Sequence, residues 1–192
     1  MLHHAPSSLT HHVGRLLVVL GLGLALGLVP SASANTATSR SLTKPLPEQG
    51  KIDLSEGEWA RRLSAEQYQV LRERKTERAF ANAYWDHHEK GVYRCGACGQ
   101  ILFHSESKYD AGDGRPSFSE PAAPDALDKY TKTAFGKTRH DLRCSRCNGH
   151  VGWAYEDGPA PSGLRHSLNS IALTFEAEGE WQRTEARRQK DE

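Results

Sequence analysis

From Gly91 onward, apolar and β-branched residues come in short runs separated by glycine- and proline-bearing turns. The runs are Val92-Tyr93, Ile101-Leu102-Phe103, Leu142, Val151 to Tyr155, Leu164 to Leu168 and Ile171 to Phe175. Short runs bounded by regular turn signals predict mainly antiparallel β architecture. Within Val151 to Tyr155, the period of two places Val151, Trp153 and Tyr155 on one face. Glu156-Asp-Gly-Pro159 and Pro161-Ser-Gly163 fence a loop between the last two strand groups. Upstream the pattern is helical. Ser55-x-x-Glu58 and Ser64-x-x-Gln67 are capping boxes. Trp59 and Leu63 at i, i+4 and Tyr68 and Leu71 at i, i+3 then give two short N-terminal helices one apolar face for the core. Residues 179–192 are charged and read as a frayed tail.

The first fifty residues follow another pattern. Leu16 to Val29 is an apolar run preceded by Arg15 and followed by Pro30 and Ser-Ala-Ser-Ala. A basic start, a short glycine-interrupted apolar stretch and Ala32-Ser33-Ala34 predict a secretory signal peptide over residues 1–34, cleaved after Ala34. The run is shorter than the ~20 residues a spanning helix needs, so a retained membrane anchor is the lesser reading. Residues 35–52 are Ser/Thr-rich with two prolines and read as a flexible linker; 53–178 form the domain. The expected setting is exported, periplasmic or secreted. His3, His4, His11 and His12 leave with the signal peptide.

Charge narrows the partners. The chain carries 25 Lys and Arg against 24 Asp and Glu, and Arg15 is the one charge within residues 1–34. The mature chain is therefore neutral, which argues against nucleic acid and an anionic membrane surface. Among the histidines, His87, His88, His104 and His140 are expected at the surface or in structural hydrogen bonds.

All four cysteines lie in two CxxC pairs, Cys95-Gly-Ala-Cys98 and Cys144-Ser-Arg-Cys147. Two residues between cysteines on a tight turn let both sulfurs face one cation, and two such turns supply a closed tetrahedral zinc site. An oxidising compartment would favour disulfides instead. CxxC rings are strained, however, and two of them in one chain is the metal-site pattern. The 45 residues between the pairs exceed a compact zinc ribbon, so each turn is expected on its own hairpin.

Several motifs in order now resemble one family. Leu63-Ser-Ala-Glu-Gln-Tyr68, Thr76-Glu-Arg78, Tyr84-Trp-Asp-His87, Gly91-Val-Tyr-Arg-Cys95, Gly114-x-Pro116-Ser117-Phe118, Arg143-Cys-Ser-Arg-Cys147, Asp157-Gly-Pro159 and Gly163-Leu-Arg165 resemble the methionine-R-sulfoxide reductases of the B class. The resemblance runs from about Asp53 to Phe175. It implies two antiparallel sheets tied by a structural zinc on four cysteines, preceded by helices, with an active site on the sheet that holds the last strands.

In that family a cysteine thiolate attacks the sulfoxide sulfur and becomes a sulfenic acid, from an Arg-Tyr-Cys-x-Asn-Ser motif. Here the stretch reads Arg165-His166-Ser167-Leu168-Asn169-Ser170, which puts Ser167 at the nucleophile position. The family's His-x-Gly-His becomes His150-Val151-Gly152-Trp153. Its Cys-Gly-Trp-Pro-Ser becomes Asp113-Gly114-Arg115-Pro116-Ser117. His150 and Asn169 survive as catalytic positions, with Arg139 and Arg165 as framework. Asp113, Arg115, Trp153 and His166 are expected to reshape the pocket for binding. Arg115 replaces an apolar indole and needs an acid partner, with Asp113 nearest in sequence.

A sulfenic acid is an S–O product that a thiol can reduce. The same attack by a serine oxygen would have to end in a weak O–O bond, and serine is un-ionised without a base. The leading reading is a degenerate, zinc-stabilised, monomeric binding module for a small molecule or methionine-like peptide ligand. The alternative is an active reductase in which an external thiol attacks and His150 and Asn169 activate the sulfoxide oxygen. A hydrolase with Ser167 as nucleophile and His150 as base lacks a Gly-x-Ser-x-Gly elbow.

Overall fold

Both capping boxes form and set the start of the fold. In the computed structural model, which describes residues 46–47, 50–134 and 136–191, Ser55 caps α1 (Glu56–Arg62) and Ser64 caps α2 (Ala65–Leu71). Each serine accepts from the third helical N–H, while that residue's side chain accepts from the serine backbone. Trp59, Leu63, Val70 and Leu71 from this pair are buried in the core. The expected signal peptide and most of the linker lie outside the described residues. Among the described residues no helix is long and apolar enough to cross a membrane.

The strands then follow in chain order: β1 (Gly91–Cys95), β2 (Ile101–His104), β3 (Lys108–Tyr109), β4 (Ser117–Phe118), β5 (Leu127–Ala134), β6 (Lys137–Cys144), β7 (His150–Tyr155), β8 (Arg165–Leu168) and β9 (Leu173–Ala177). They form two antiparallel sheets, β2-β1-β9 and β3-β4-β8-β7-β6-β5. Tyr93, Phe103 and Phe118 join the sheets in one core, with Phe103 and Phe118 stacked at 4.3 Å.

The cysteine turns sit at hairpin ends. Cys95 closes β1 and Cys144 closes β6, so one knuckle belongs to each sheet. The two turns have the same wiring. Gly99 N donates to Cys95 O and Asn148 N to Cys144 O, both at 2.8 Å; Cys95 N and Cys144 N donate in turn to Gln100 O and Gly149 O. Both turns end on a left-handed residue, Gly99 (φ 76) and Asn148 (φ 57), the residue types that tolerate that region best. Arg146 in the second knuckle donates to Cys98 O in the first and to the carbonyls of Gly50 and Pro47.

Two expectations change. Residues 179–192 are not frayed: α3 (Glu178–Asp191) covers all but the last, with acids in its first turn and bases in its last, complementing the helix dipole. It docks through Thr184 on Glu176 at 3.0 Å and Trp181 against His104. Nor do Val151, Trp153 and Tyr155 share a face. Between Leu142 and Arg143 the register slips, with Leu142 opposite Gly152 but Arg143 opposite His150. The extra residue is Val151, a β-bulge that drops into the core and lets His150 meet Trp153 three positions away. Gly152 beside it must lack a side chain, since a Cβ there would lie 2.3 Å from Ser167 O.

Candidate functional site

The site is one row of side chains across five strands. Register places Ser117 of β4 opposite Ser167 of β8, Ser167 opposite Trp153 of β7, Trp153 opposite Asp141 of β6, and Asp141 opposite Tyr130 of β5. Directly paired residues point the same way. The row therefore lies on one face of the larger sheet, which holds β7 and β8, whereas the last strand, β9, pairs in the smaller one. His150 joins it through the bulge, its ring 4.7 Å from that of Trp153.

At the β8 end, Ser167 Oγ donates to Asp113 Oδ2 at 2.8 Å and is almost wholly buried. The same carboxylate oxygen accepts from Arg165 Nη1 at 2.5 Å, and Asp157 holds the other side of that guanidinium with two bonds of 2.9 Å. The Asp157 hydrogen bonds raise the Arg165 pKa, and Arg165 in turn lowers that of Asp157. A cleft of about 400 Å³ opens over this cluster, lined also by Tyr109, Gly158 and Pro159.

Asp113 is therefore not the acid that pairs with the Arg115 guanidinium; Oδ1 accepts only the Arg115 backbone N–H, at 3.1 Å. The guanidinium instead donates to Asn169 Oδ1 at 3.0 Å and to Glu77 O at 2.8 Å. Asn169 Oδ1 takes two further donors, Thr76 Oγ1 and Glu77 N. The Glu77 carboxylate caps the turn after β8 by accepting from Ser170 N and Ile171 N. Burial raises its pKa against those hydrogen bonds and the Arg115 charge.

At the other end, His150 Nδ1 lies 2.7 Å from Asp141 Oδ1, with both side chains buried. Burial would push the Asp141 carboxyl up, but the Arg143 hydrogen bond and the charges of Arg74 and Arg143 oppose it and hold it low. Arg74 reaches the carboxylate at 2.7 Å and Arg143 at 3.0 Å. Burial lowers the His150 pKa, opposed by Asp141. The ring is neutral at neutral pH, its Nδ1–H toward the carboxylate and its Nε2 carrying a lone pair. Arg139 lies over Trp153 with 5.9 Å to the ring centre.

His166 departs from its expected binding role. It faces the opposite side of β8 from Ser167, buried, with Nδ1 3.1 Å from Phe118 O and its ring against Phe103. Burial lowers its pKa as well. Unfolded histidines bind a proton near pH ~6.5, whereas these two resist it in the fold, so the unfolded chain binds more protons as pH drops. The stability they contribute is complete above that value and is lost as pH falls toward their depressed folded values, by at most about 1.4 kcal/mol per pH unit each. Urea unfolding at stepped pH should show this slope, and His166→Asn should flatten it.

The four cysteines form the other half of the functional chemistry. All four sulfurs lie within 4.8 Å of one another, and Cys95–Cys147 and Cys98–Cys144 are each 3.6 Å apart. A tetrahedron with Zn–S of ~2.3 Å has edges of ~3.8 Å, so the set fits a structural zinc.

Sequence reasoning missed Asp141, Arg74, Thr76 and Glu77. Thr76-Glu77 lay inside a recognised motif without a role. Asp141 has no local signal, because only the register of β6 against β7 brings it to His150.

Residues 63–177 match the SelR domain family. The peptide methionine sulfoxide reductase MsrB of Thiobacillus denitrificans is 50% identical over 121 residues, covering 63% of this chain and 92% of that protein. That of Agrobacterium fabrum is 44% identical over 126 residues, 66% and 93% of the two chains. That of Methanosarcina barkeri is 43% identical over 139 residues, 72% and 98%. Among solved structures, the Mis18 "Yippee-like" domain overlaps with a TM-score of 0.38 and 18% identity, over 46% of this chain and 96% of that one.

Proposed function

The chain belongs to the SelR-domain family, the methionine-R-sulfoxide reductases of the B class, and on that premise we propose that it is an exported, zinc-stabilised, monomeric member that binds a methionine-like or small-molecule ligand without thiol-based reduction. The observation that carries this reading is the distribution of sulfur. The chain has four cysteines, and all four converge in the zinc set, away from the Ser167 row.

The rest of the site supports it. The Ser167 hydroxyl is engaged in donating to the Asp113 carboxylate, whose same oxygen Arg165 also holds, and an oxygen nucleophile has no sulfenic-acid route open to it. Arg115 donates to Asn169 Oδ1, a bond that occupies the amide's acceptor and holds a cation where the family has an apolar wall. Zinc, held by Cys95, Cys98, Cys144 and Cys147, supplies folding energy and no open coordination position. Within the site, Trp153 offers an apolar face, His150 Nε2 is buried beside it without a partner, and the Asp113–Arg165–Asp157 cluster borders the open cleft.

The second reading, an active reductase using an external thiol, is favoured by the buried His150–Asp141 contact and by relatives named as reductases. One assay separates them. Zinc-loaded protein with dabsyl-methionine-R-sulfoxide and excess dithiothreitol is expected to show no turnover above the reductant blank. Clear turnover would establish the second reading and remove the first.

A further inference from the structure

Cys98 differs from the other three zinc ligands. Cys95, Cys144 and Cys147 are buried, whereas Cys98 is partly exposed. It lies in the wall of a second cleft, about 510 Å³, which Arg146 of the other knuckle also lines. Arg94, Gln100, Asp125, Arg146 and Arg188 line the same space together with Ile101 and Ala123, and it opens to solvent. Susceptibility of a thiolate to oxidants follows its exposure and its anionic character, and a zinc-bound cysteine is deprotonated.

We propose that Cys98 is an oxidant-modification site, at which a hypohalous acid converts the zinc cluster into disulfides that join one knuckle to the other. Two sulfur contacts point to the pairing: Cys98 Sγ is 3.6 Å from Cys144 Sγ, and Cys95 Sγ is 3.6 Å from Cys147 Sγ. Both contacts cross between the sheets. With hypochlorous acid, the Cys98 thiolate attacks chlorine, forming an S–Cl bond and releasing hydroxide. The Cys144 thiolate then attacks that sulfur, forming the S–S bond and expelling chloride. Two thiolates lose two electrons, chlorine gains them, and Zn²⁺ keeps only two of its protein ligands and departs. The resulting bond links Cys98 to Cys144, so the tie that zinc made between the sheets becomes covalent.

The sulfur content makes the reaction readable. The sequence has one methionine, Met1, at the head of the expected signal peptide, so the mature chain holds no sulfur except these four cysteines. This inference stands apart from the reading of the Ser167 site and would hold for an active or an inactive enzyme.

The experiment uses the zinc-loaded mature chain, titrated with hypochlorous acid while a chelating dye reports zinc and non-reduced peptide mapping reports disulfides. The expected result is zinc release together with a Cys98–Cys144 cross-linked peptide as the first product. Disulfides within a knuckle, first modification at Cys95 or Cys147, or zinc retained at full oxidant consumption would each overturn the proposal. Because loss of a ligand can unfold the chain, access is tested without touching one. Asp125→Trp narrows the cleft at an exposed position and should slow N-ethylmaleimide labelling of Cys98 roughly five-fold, with unchanged urea stability. Equal labelling rates in the two proteins would refute entry through this cleft.

Discussion

Cys95→Ala or Cys144→Ala is expected to yield a chain that does not fold. Each cysteine is the last residue of its strand, and each supplies half of its knuckle's grip on the metal. Structural zinc contributes an apparent ~10–16 kcal/mol to folding, whereas the net stability of a whole domain is only ~5–15 kcal/mol. Losing one ligand removes most of the first quantity and leaves the second near or below zero. The core shared by the sheets is real, with Tyr93, Phe103, Phe118, Leu142 and Leu168 fully buried. Much of the cost of ordering the hairpins against one another nonetheless falls on the metal. Zinc analysis should give one ion per wild-type chain, and near-ultraviolet circular dichroism should show native packing for wild type but not for either variant. A wild-type chain that keeps its native spectrum after strong chelation under reducing conditions would contradict the assignment.

Ser167→Cys alone is expected to stay at the reductant blank toward methionine-R-sulfoxide, and Ser167→Cys combined with Arg115→Trp to rise roughly a hundred-fold above that blank. Two neighbours oppose the new thiol. Asp113 Oδ2 sits where its proton would point, 2.8 Å from the present hydroxyl oxygen, and a nearby carboxylate disfavours a thiolate. Arg115 holds Asn169 Oδ1 and keeps a guanidinium where an apolar methyl group must pack. Removing the arginine addresses the second obstacle. Assay at about pH 9 addresses the first by ionising a thiol whose pKa has been raised. Single and double variants of equal activity would show that Arg115 is no obstacle to the family's chemistry. A double variant as inert as the parent would place the block elsewhere, with Trp153 the next residue to change.

The two capping boxes, the strand runs and the paired CxxC turns were legible because each is written in contiguous residues. Ser55 and Glu58 meet within one helical turn, and Cys95 and Cys98 within one hairpin. What was hidden depends on register. Asp141 reaches His150 only because a bulge at Val151 shifts β7 against β6, and a period-two reading of the strand has no access to that shift. The same bulge explains why Val151 is in the core although Trp153 and Tyr155 are not. Arg115 was recognisable as a misplaced cation, but its partner was misassigned. Asn169 lies 54 residues away in sequence and Asp113 two, and spacing favours the nearer. His166 needed only strict alternation along β8 to be removed from the pocket. The tail's helix went unread because Trp181 is a single apolar anchor in a charged stretch.

The placement of the knuckles also orders events during folding. Each is the turn of a local hairpin, β1–β2 in one sheet and β6–β7 in the other, built from pairings between residues close in sequence. Such hairpins close in microseconds, independently of each other. Bringing the two tips together closes a loop of 45 residues, an entropic step of about 3 kcal/mol that neither hairpin repays by itself. The metal therefore acts late, as a latch on two preformed halves, and the rate at which the chain becomes native depends on free zinc even though the rate at which its hairpins form does not.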